Sequence, residues 1–260
     1  MHHKKIIKTK FLKEGNNNKL KLLMKKLILI ALISFISCSE KEVQLPQADT
    51  AALTEILDHS PIYMFFEIEN EKDTLLDLNK NNAISSTNWV FNIDKRLPLR
   101  LVVPELQKLQ EKKKKSAHSK SESIEVFSYS DSIQKKLVFF PFTDVKFKYD
   151  ADFSNQFIKK HAIHYMDYHN FNIDFDKNSS LFVDGIALSH SDFSDHLKEF
   201  SDFNQDGKTI LLHLNFDKNV SFGDYLKAKI LIWKATNERI HIAPFEFIYD
   251  SKKIKNRKQV

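Results

Sequence analysis

The chain has one cysteine, four glycines and six prolines in 260 residues. A single cysteine excludes an intramolecular disulfide and any cysteine-based metal cluster. Four glycines leave little room for Gly-rich phosphate loops, and neither a Gly-x-Ser-x-Gly elbow nor a His-Glu-x-x-His helix occurs. The longest apolar run falls short of the ~20 residues that a bilayer span takes. The basic excess also vanishes on inspection. Residues 1–37 hold nine lysines and one glutamate, so the formal charge of +6 becomes 31 basic against 33 acidic residues beyond them, a net of −2. No basic field remains to suggest a nucleic-acid partner. Hydrophobic content of 42% and aromatic content of 12% are enough for a packed core and argue against disorder.

Met24-Lys-Lys26 followed by Leu27 to Ile36 forms the charged and apolar regions of a signal peptide. Lysines at 21, 25 and 26 block a longer apolar stretch, and Met24 is the simplest true start. Phe35-Ile-Ser-Cys38 resembles the lipobox of bacterial lipoproteins, with Phe35 in place of the usual Leu. That resemblance implies a lipidated Cys38 as the mature N-terminus and membrane lipid as a partner. The leader is thus 1–37, followed by a polar tether over 38–58 in which Thr50 to Leu57 is expected to form a short helix ending before Pro61.

Beyond the tether the chain divides into a first module (59–150), a helix-like connector (151–169), a second module (170–250) and a basic tail (251–260). The second module is the cleaner. It reads as a hairpin around Asp176-Lys-Asn-Ser179, a helix over Asp192 to Phe200, a strand over Ile210 to Phe216, a helix from Ser221 to about Thr236, and a strand over Arg239 to Phe247. A strand, a helix and a returning strand predict a parallel crossover. The first module carries a hairpin around Glu69 to Asp73, a strand at Trp89 to Ile93, a helix through Leu97, Leu101, Val102, Leu106 and Leu109, and strands at Ile124 to Tyr129 and Lys136 to Phe142. Val145 to Tyr149 extends the last of these. Pro104 means that its helix either begins there or is kinked. Gln110 to Ser123 reads as a solvated loop. Two echoes suggest an internal repeat: Asn92-Ile-Asp-Lys95 with Asn215-Phe-Asp-Lys218, and Phe140-Pro-Phe142 with Ala243-Pro-Phe245. The fold class is α+β, with two small mixed sheets and strand–helix–strand units packed on one face.

Candidate chemistry is thin. Asp202-Phe-Asn-Gln-Asp-Gly207 imitates the start of an EF-hand loop, but His213 stands where the bidentate Glu belongs, so a plain turn is expected. His161, His164 and His169 form the densest histidine group; zinc takes three or four well-placed ligands, and neither a cysteine nor a His-Glu-x-x-His arrangement supports them, so no metal site is assigned. Asp73, Asp77 and Asp94 do not pair as acid and base from sequence. No catalytic residue and no cofactor are assigned.

Leu181-Phe-Val-Asp-Gly185 and Leu214-Asn-Phe-Asp-Lys-Asn-Val-Ser-Phe-Gly-Asp224 make Phe171 to Asp250 resemble the periplasmic domain of the ExbD/TolR family of biopolymer transport. Asp217, Val220, Phe222 and Gly223 fall on that family's turn motif, and the first module resembles a degenerate copy. The family's membrane helix with its essential Asp has no counterpart, since Leu27 to Ser37 holds no acidic residue. The resemblance therefore implies a non-enzymatic accessory or interaction subunit in the cell envelope, most simply periplasmic. Its implied partners are ExbB-, ExbD- or TonB-like proteins and a second copy of the chain as a homodimer. A lipoprotein that binds a ligand or envelope polymer is the alternative reading.

Overall fold

The computed structural model describes residues 41–69, 73–117, 122–150, 152–204 and 206–253. The leader with Cys38, the tip of the first hairpin and the basic tail beyond Lys253 lie outside the described residues. From Glu42 on, the described chain forms one unit of α+β architecture with two mixed sheets.

The first sheet contains β1 (Gln47–Ala48), β2 (His59–Glu69), β3 (Asp73–Asn79), β4 (Asn88–Ile93), β5 (Glu125–Asp131) and β6 (Leu137–Pro141). Its order is β1-β5-β4-β2-β3, with β6 paired to β5. The period-two alternation of a strand sets its two faces. Trp89, Phe91 and Ile93 enter the main core, while Val90 and Val126 meet Phe139 in a small cluster on the other side. The second sheet contains β7 (Lys146–Tyr149), β8 (Tyr168–Phe175), β9 (Leu181–Val183), β10 (Ile186–Leu188), β11 (Thr209–Asp217) and β12 (Ile240–Tyr249), in the order β10-β9-β8-β11-β12-β7.

With β6 and β10 set aside, the two sheets are the same object. In each, an outer strand (β1, β7) runs parallel to a last strand (β5, β12), which runs parallel to a middle strand (β4, β11). The middle strand is parallel to the first strand of a hairpin (β2, β8), whose return (β3, β9) is antiparallel. A helix joins the middle strand to the last one: α1 (Leu99–Lys115) in the first half and α5 (Phe222–Lys234) in the second. The parallel crossover of the second half is as the sequence predicts, and the first half repeats it. Asn92-Ile-Asp-Lys95 and Asn215-Phe-Asp-Lys218 occupy the same place, at the strand end that leads into the helix. The Pro-Phe echo does not. Phe140 lies on β6, the added hairpin strand, whereas Ala243 to Phe245 fills a bulge in β12 where the register slips between Leu212 and Leu214.

Several local expectations change. Thr50 to Leu57 is not helical; its backbone pairs instead with the edge of the sheet, through Leu53 N–H to Phe139 O and the Tyr129 hydroxyl to Thr50 O. Residues 110–115 continue α1 instead of joining the polar loop, because Gln110 and Lys113 lie on its buried side. Pro104 sits inside α1. It gives no N–H to the Arg100 carbonyl, and the Tyr149 hydroxyl stands 3.4 Å from that oxygen. Lys146–Tyr149 does not extend β6 but is the outer strand of the second sheet. The connector becomes two short helices, α2 (Ser154–Lys160) and α3 (Ala162–Tyr165). The predicted helix of the second half, α4 (Phe193–Phe203), includes Asp202 and has no counterpart in the first.

Candidate functional site at the module junction

The two copies meet at the residues that carry the family resemblance. Pro98 and Ser221, each the residue before its helix, face one another in an antiparallel bridge. Leu99 N–H donates to Val220 O at 2.9 Å, and Phe222 N–H donates to Leu97 O at 2.7 Å. Arg100 N–H reaches Lys218 O at 2.7 Å, and Gly223 N–H reaches Lys95 O at 2.9 Å. The second bond of each pair is the first with 123 added to or taken from each number, which is the offset between Asn92-x-Asp-Lys and Asn215-x-Asp-Lys. The junction thus has pseudo-twofold symmetry about the Pro98–Ser221 bridge.

All four motif residues converge there. Asp217 is fully buried and closes the turn, its Oδ1 accepting from the N–H and Nδ2 of Asn219. Val220 presents its carbonyl to Leu99, and Phe222 is buried beside the Phe127 ring of the other sheet, centroids 5.2 Å apart. Gly223 has a steric reason: a Cβ there would stand 3.0 Å from Lys95 Cβ and 3.1 Å from Lys95 O. Asp94, the counterpart of Asp217, is also fully buried. Burial alone would raise its pKa, but hydrogen bonds from the Arg96 guanidinium, from Arg96 N–H and from Gln44 N–H hold it low. Beside the bridge lies a groove of about 350 Å³ lined by Pro46, Gln47, Lys95, Arg96, Ser221, Gly223, Asp224 and Lys227.

Two buried polar groups escaped the sequence reading. Between α5 and β12, the Tyr225 hydroxyl donates to Glu246 Oε2 at 2.7 Å and Lys229 Nζ pairs with Glu246 Oε1, all three side chains lying in the interior. Burial, then the Glu246 charge, pushes the Tyr225 phenol far up, so it donates and does not ionise. The second group is a row on the other side of β11. His213 and Asn215 alternate with the core residues Leu212, Leu214 and Phe216; Ser154 of α2 meets Asn215 and Tyr165 of α3 meets His213. Asn215 Oδ1 accepts from Ser154 N–H at 2.7 Å, and the Tyr165 ring meets His213 edge-on. Asn170 Nδ2 donates to the Tyr165 and Tyr168 carbonyls, which leaves its Oδ1 to accept from His213 Nε2 at 2.8 Å and fixes the neutral tautomer.

Burial drives His213 down to about 4 and Asp174, next to Asn215 in the register, up to about 6. The depressed histidine stabilises the fold above its unfolded pKa, and that contribution is lost as pH falls through about 4. Asp174 acts in the opposite sense, its contribution being lost as pH rises through about 6. A comparison of variants separates them. Between pH 7 and pH 4, wild type should lose about 3 kcal/mol more unfolding free energy than His213→Gln, measured by urea titration. Parallel pH curves would contradict this assignment.

The other candidates stay apart. His161 and His164 lie in the α2–α3 corner with ring centroids 6.3 Å apart, while His169 pairs with Asp206 at 2.9 Å. Among the described residues no three His, Cys, Asp or Glu side chains gather into a cation site. Asp73 and Asp77 lie on β3, whereas Asp94 is locked at the junction. No protein-family model matches this sequence, and no characterised protein is similar enough to be matched.

Proposed function

We propose that this chain is an envelope lipoprotein, anchored through Cys38, that serves as a non-enzymatic accessory subunit of an ExbB/ExbD/TonB-like energy-transducing system. The observation that carries the proposal is the junction. Asp217, Val220, Phe222 and Gly223, which carry the ExbD/TolR resemblance, form the seam between two copies of one module, so the motif is spent on holding modules together. The second copy also contains, in order, the elements that the resemblance implies: a short strand ending near Gly185, a helix, a strand into the turn, a helix and a final strand.

Binding falls to the edge strands. Among the described residues β1 has two residues, β10 three, β7 four and β6, paired only to β5, five, whereas β3 has seven. β3 presents one side of its backbone to a partner strand, with Leu75 39% exposed beside it. The test is a crosslinked pull-down of the tagged chain from native membranes, with Cys38→Ala as the control. Recovery of ExbB-, ExbD- or TonB-like proteins, lost with Cys38→Ala, is the expected result. Recovery of none from a lipidated, folded chain would overturn it and favour a lipoprotein that binds a ligand or polymer.

A further inference from the structure

The outward side of α5 changes character along its length. Asp224, Lys227, Ala228 and Leu231 recur at the spacing that puts them on one helix face, charged over the first turn and apolar over the next. An outer helix face is ordinarily polar throughout, and here the apolar part lines a cavity of about 170 Å³. Phe175, Ala228 and Leu231 supply its apolar wall, together with Ser179 and the exposed His190. The Phe175 ring is stacked on Phe216, centroids 5.1 Å apart, and the His190 ring stands 6.2 Å from it.

Asp224 and Lys227 also line the groove of about 350 Å³ beside the bridge, so the two hollows meet along α5 as one trough. Together they fall within the ~300–1,000 Å³ of a small-molecule site. Away from its apolar end the trough is cationic. Lys95 forms no ion pair among the described residues. Arg96 gives Nε and Nη2 to Asp94, which leaves Nη1 for a further acceptor. Lys227 stands 3.8 Å from Asp224, beyond hydrogen-bond reach, with its side chain 62% exposed. These three cations gather in a protein whose residues 38–250 carry a net −7. The first amides of α5 add nothing for an anion, because Phe222, Gly223 and Asp224 N–H are taken by Leu97 O, Lys95 O and Ser221 Oγ. The attraction comes from side chains.

We infer that this trough binds a small anionic amphiphile, with its acid headgroup among Lys95, Arg96 and Lys227 and its apolar tail over Phe175, Ala228 and Leu231. Each end accounts for one half of the ligand. The cations hold a carboxylate or phosphate oxygen through charge-assisted hydrogen bonds, and seating the tail removes apolar surface of both partners from water. A small hydrophilic anion gains only the first contribution, and a cationic amphiphile only the second. Asp224, the one acid among the described residues that line either hollow, sits between the two ends and opposes the headgroup. The trough is separate from the β3 edge and needs neither the anchor nor a partner protein.

The test uses the full chain carrying Cys38→Ser, so that it bears no acyl chain of its own, and three probes kept below micelle-forming concentrations: decanoate, acetate and decyltrimethylammonium. Titration calorimetry should detect binding of decanoate and of neither other probe, since acetate lacks the tail and decyltrimethylammonium has the wrong charge. Lys95→Gln and Lys227→Gln should each weaken decanoate about tenfold, the loss of one hydrogen bond to a charged group. Leu231→Gln should weaken it as well. Asp224→Asn should act in the opposite direction and tighten it, an effect that damage to the fold would not produce. The inference is overturned if decanoate does not bind, if acetate or decyltrimethylammonium binds as tightly, or if neither lysine variant changes the affinity. Weaker binding by Asp224→Asn would overturn it too.

Discussion

Glu246→Leu should lower the unfolding free energy by about 3–5 kcal/mol, the largest effect expected of any single substitution away from the seam. The reason is what the change leaves behind. Lys229 is 3% exposed and would keep an ammonium in the interior with its partner gone, and the Tyr225 hydroxyl would lose its acceptor. A buried pair as a whole adds little, since desolvation offsets attraction, but half a pair is costly. The double variant Lys229→Met/Glu246→Leu should therefore recover most of the loss. Urea titrations of the two singles and the double give the coupling directly. Additive losses in the double variant would mean that Lys229 and Glu246 act independently, contrary to their geometry.

Gly223→Val is the second. Its added carbons would press on Lys95 Cβ and on Lys95 O, which is itself held by the Gly223 N–H, so the seam must open to admit them. Overpacking of this kind costs about 1–3 kcal/mol, with the upper end expected because one obstacle is backbone. Because the clash lies between the copies, Lys95→Gly should restore part of the stability by removing the facing Cβ. A silent Gly223→Val would show that the two halves are not pressed together at this point.

The second copy was legible in sequence because its signals are local. Leu212, Leu214 and Phe216 alternate, the helix after Ser221 is capped by the Ser221 hydroxyl accepting from Asp224 N–H, and the return strand is long. Where the sequence reading went astray, the deciding partner is distant. Lys146–Tyr149 reads as the continuation of β6 because only its pairing with Phe245 to Ile248, about a hundred residues on, assigns it to the other sheet. Lys113 reads as a solvated charge, yet it lies over the Trp89 ring, 4.7 Å from its centroid, with Glu125 nearby, and burial pushes its pKa down. Thr50 to Leu57 has helix-like composition but covers a sheet face.

One local signal was present and unused. Asp184-Gly185 joins β9 to β10 as a two-residue hairpin with φ of +48° and +85°, the conformation that an Asp-Gly pair favours. For the site, the four motif residues could be named from their spacing. Their use as a seam could not, because the facing residues Lys95 to Arg100 lie more than a hundred positions upstream and carry only the Asn-x-Asp-Lys echo. The pair of His213 and Asn215 was hidden for a different reason: both faces of β11 are buried, so polarity there does not signal solvent.

The central claim is that two copies of one module close on each other about Pro98 and Ser221, and a disulfide tests it most directly. The bonds Leu99 N–H to Val220 O and Phe222 N–H to Leu97 O make Pro98 and Ser221 a non-hydrogen-bonded antiparallel pair. In such pairs the Cα atoms lie about 4.5 Å apart, within the range a disulfide spans. Pro98→Cys/Ser221→Cys, made in a Cys38→Ser chain so that no other thiol is present, should oxidise in air to an intramolecular crosslink. Closing a loop of that length should add about 5 kcal/mol, less about 1 kcal/mol for the lost Ser221 cap, and reduction should remove the gain. Two thiols that stay free, or that join only between molecules, would contradict the account.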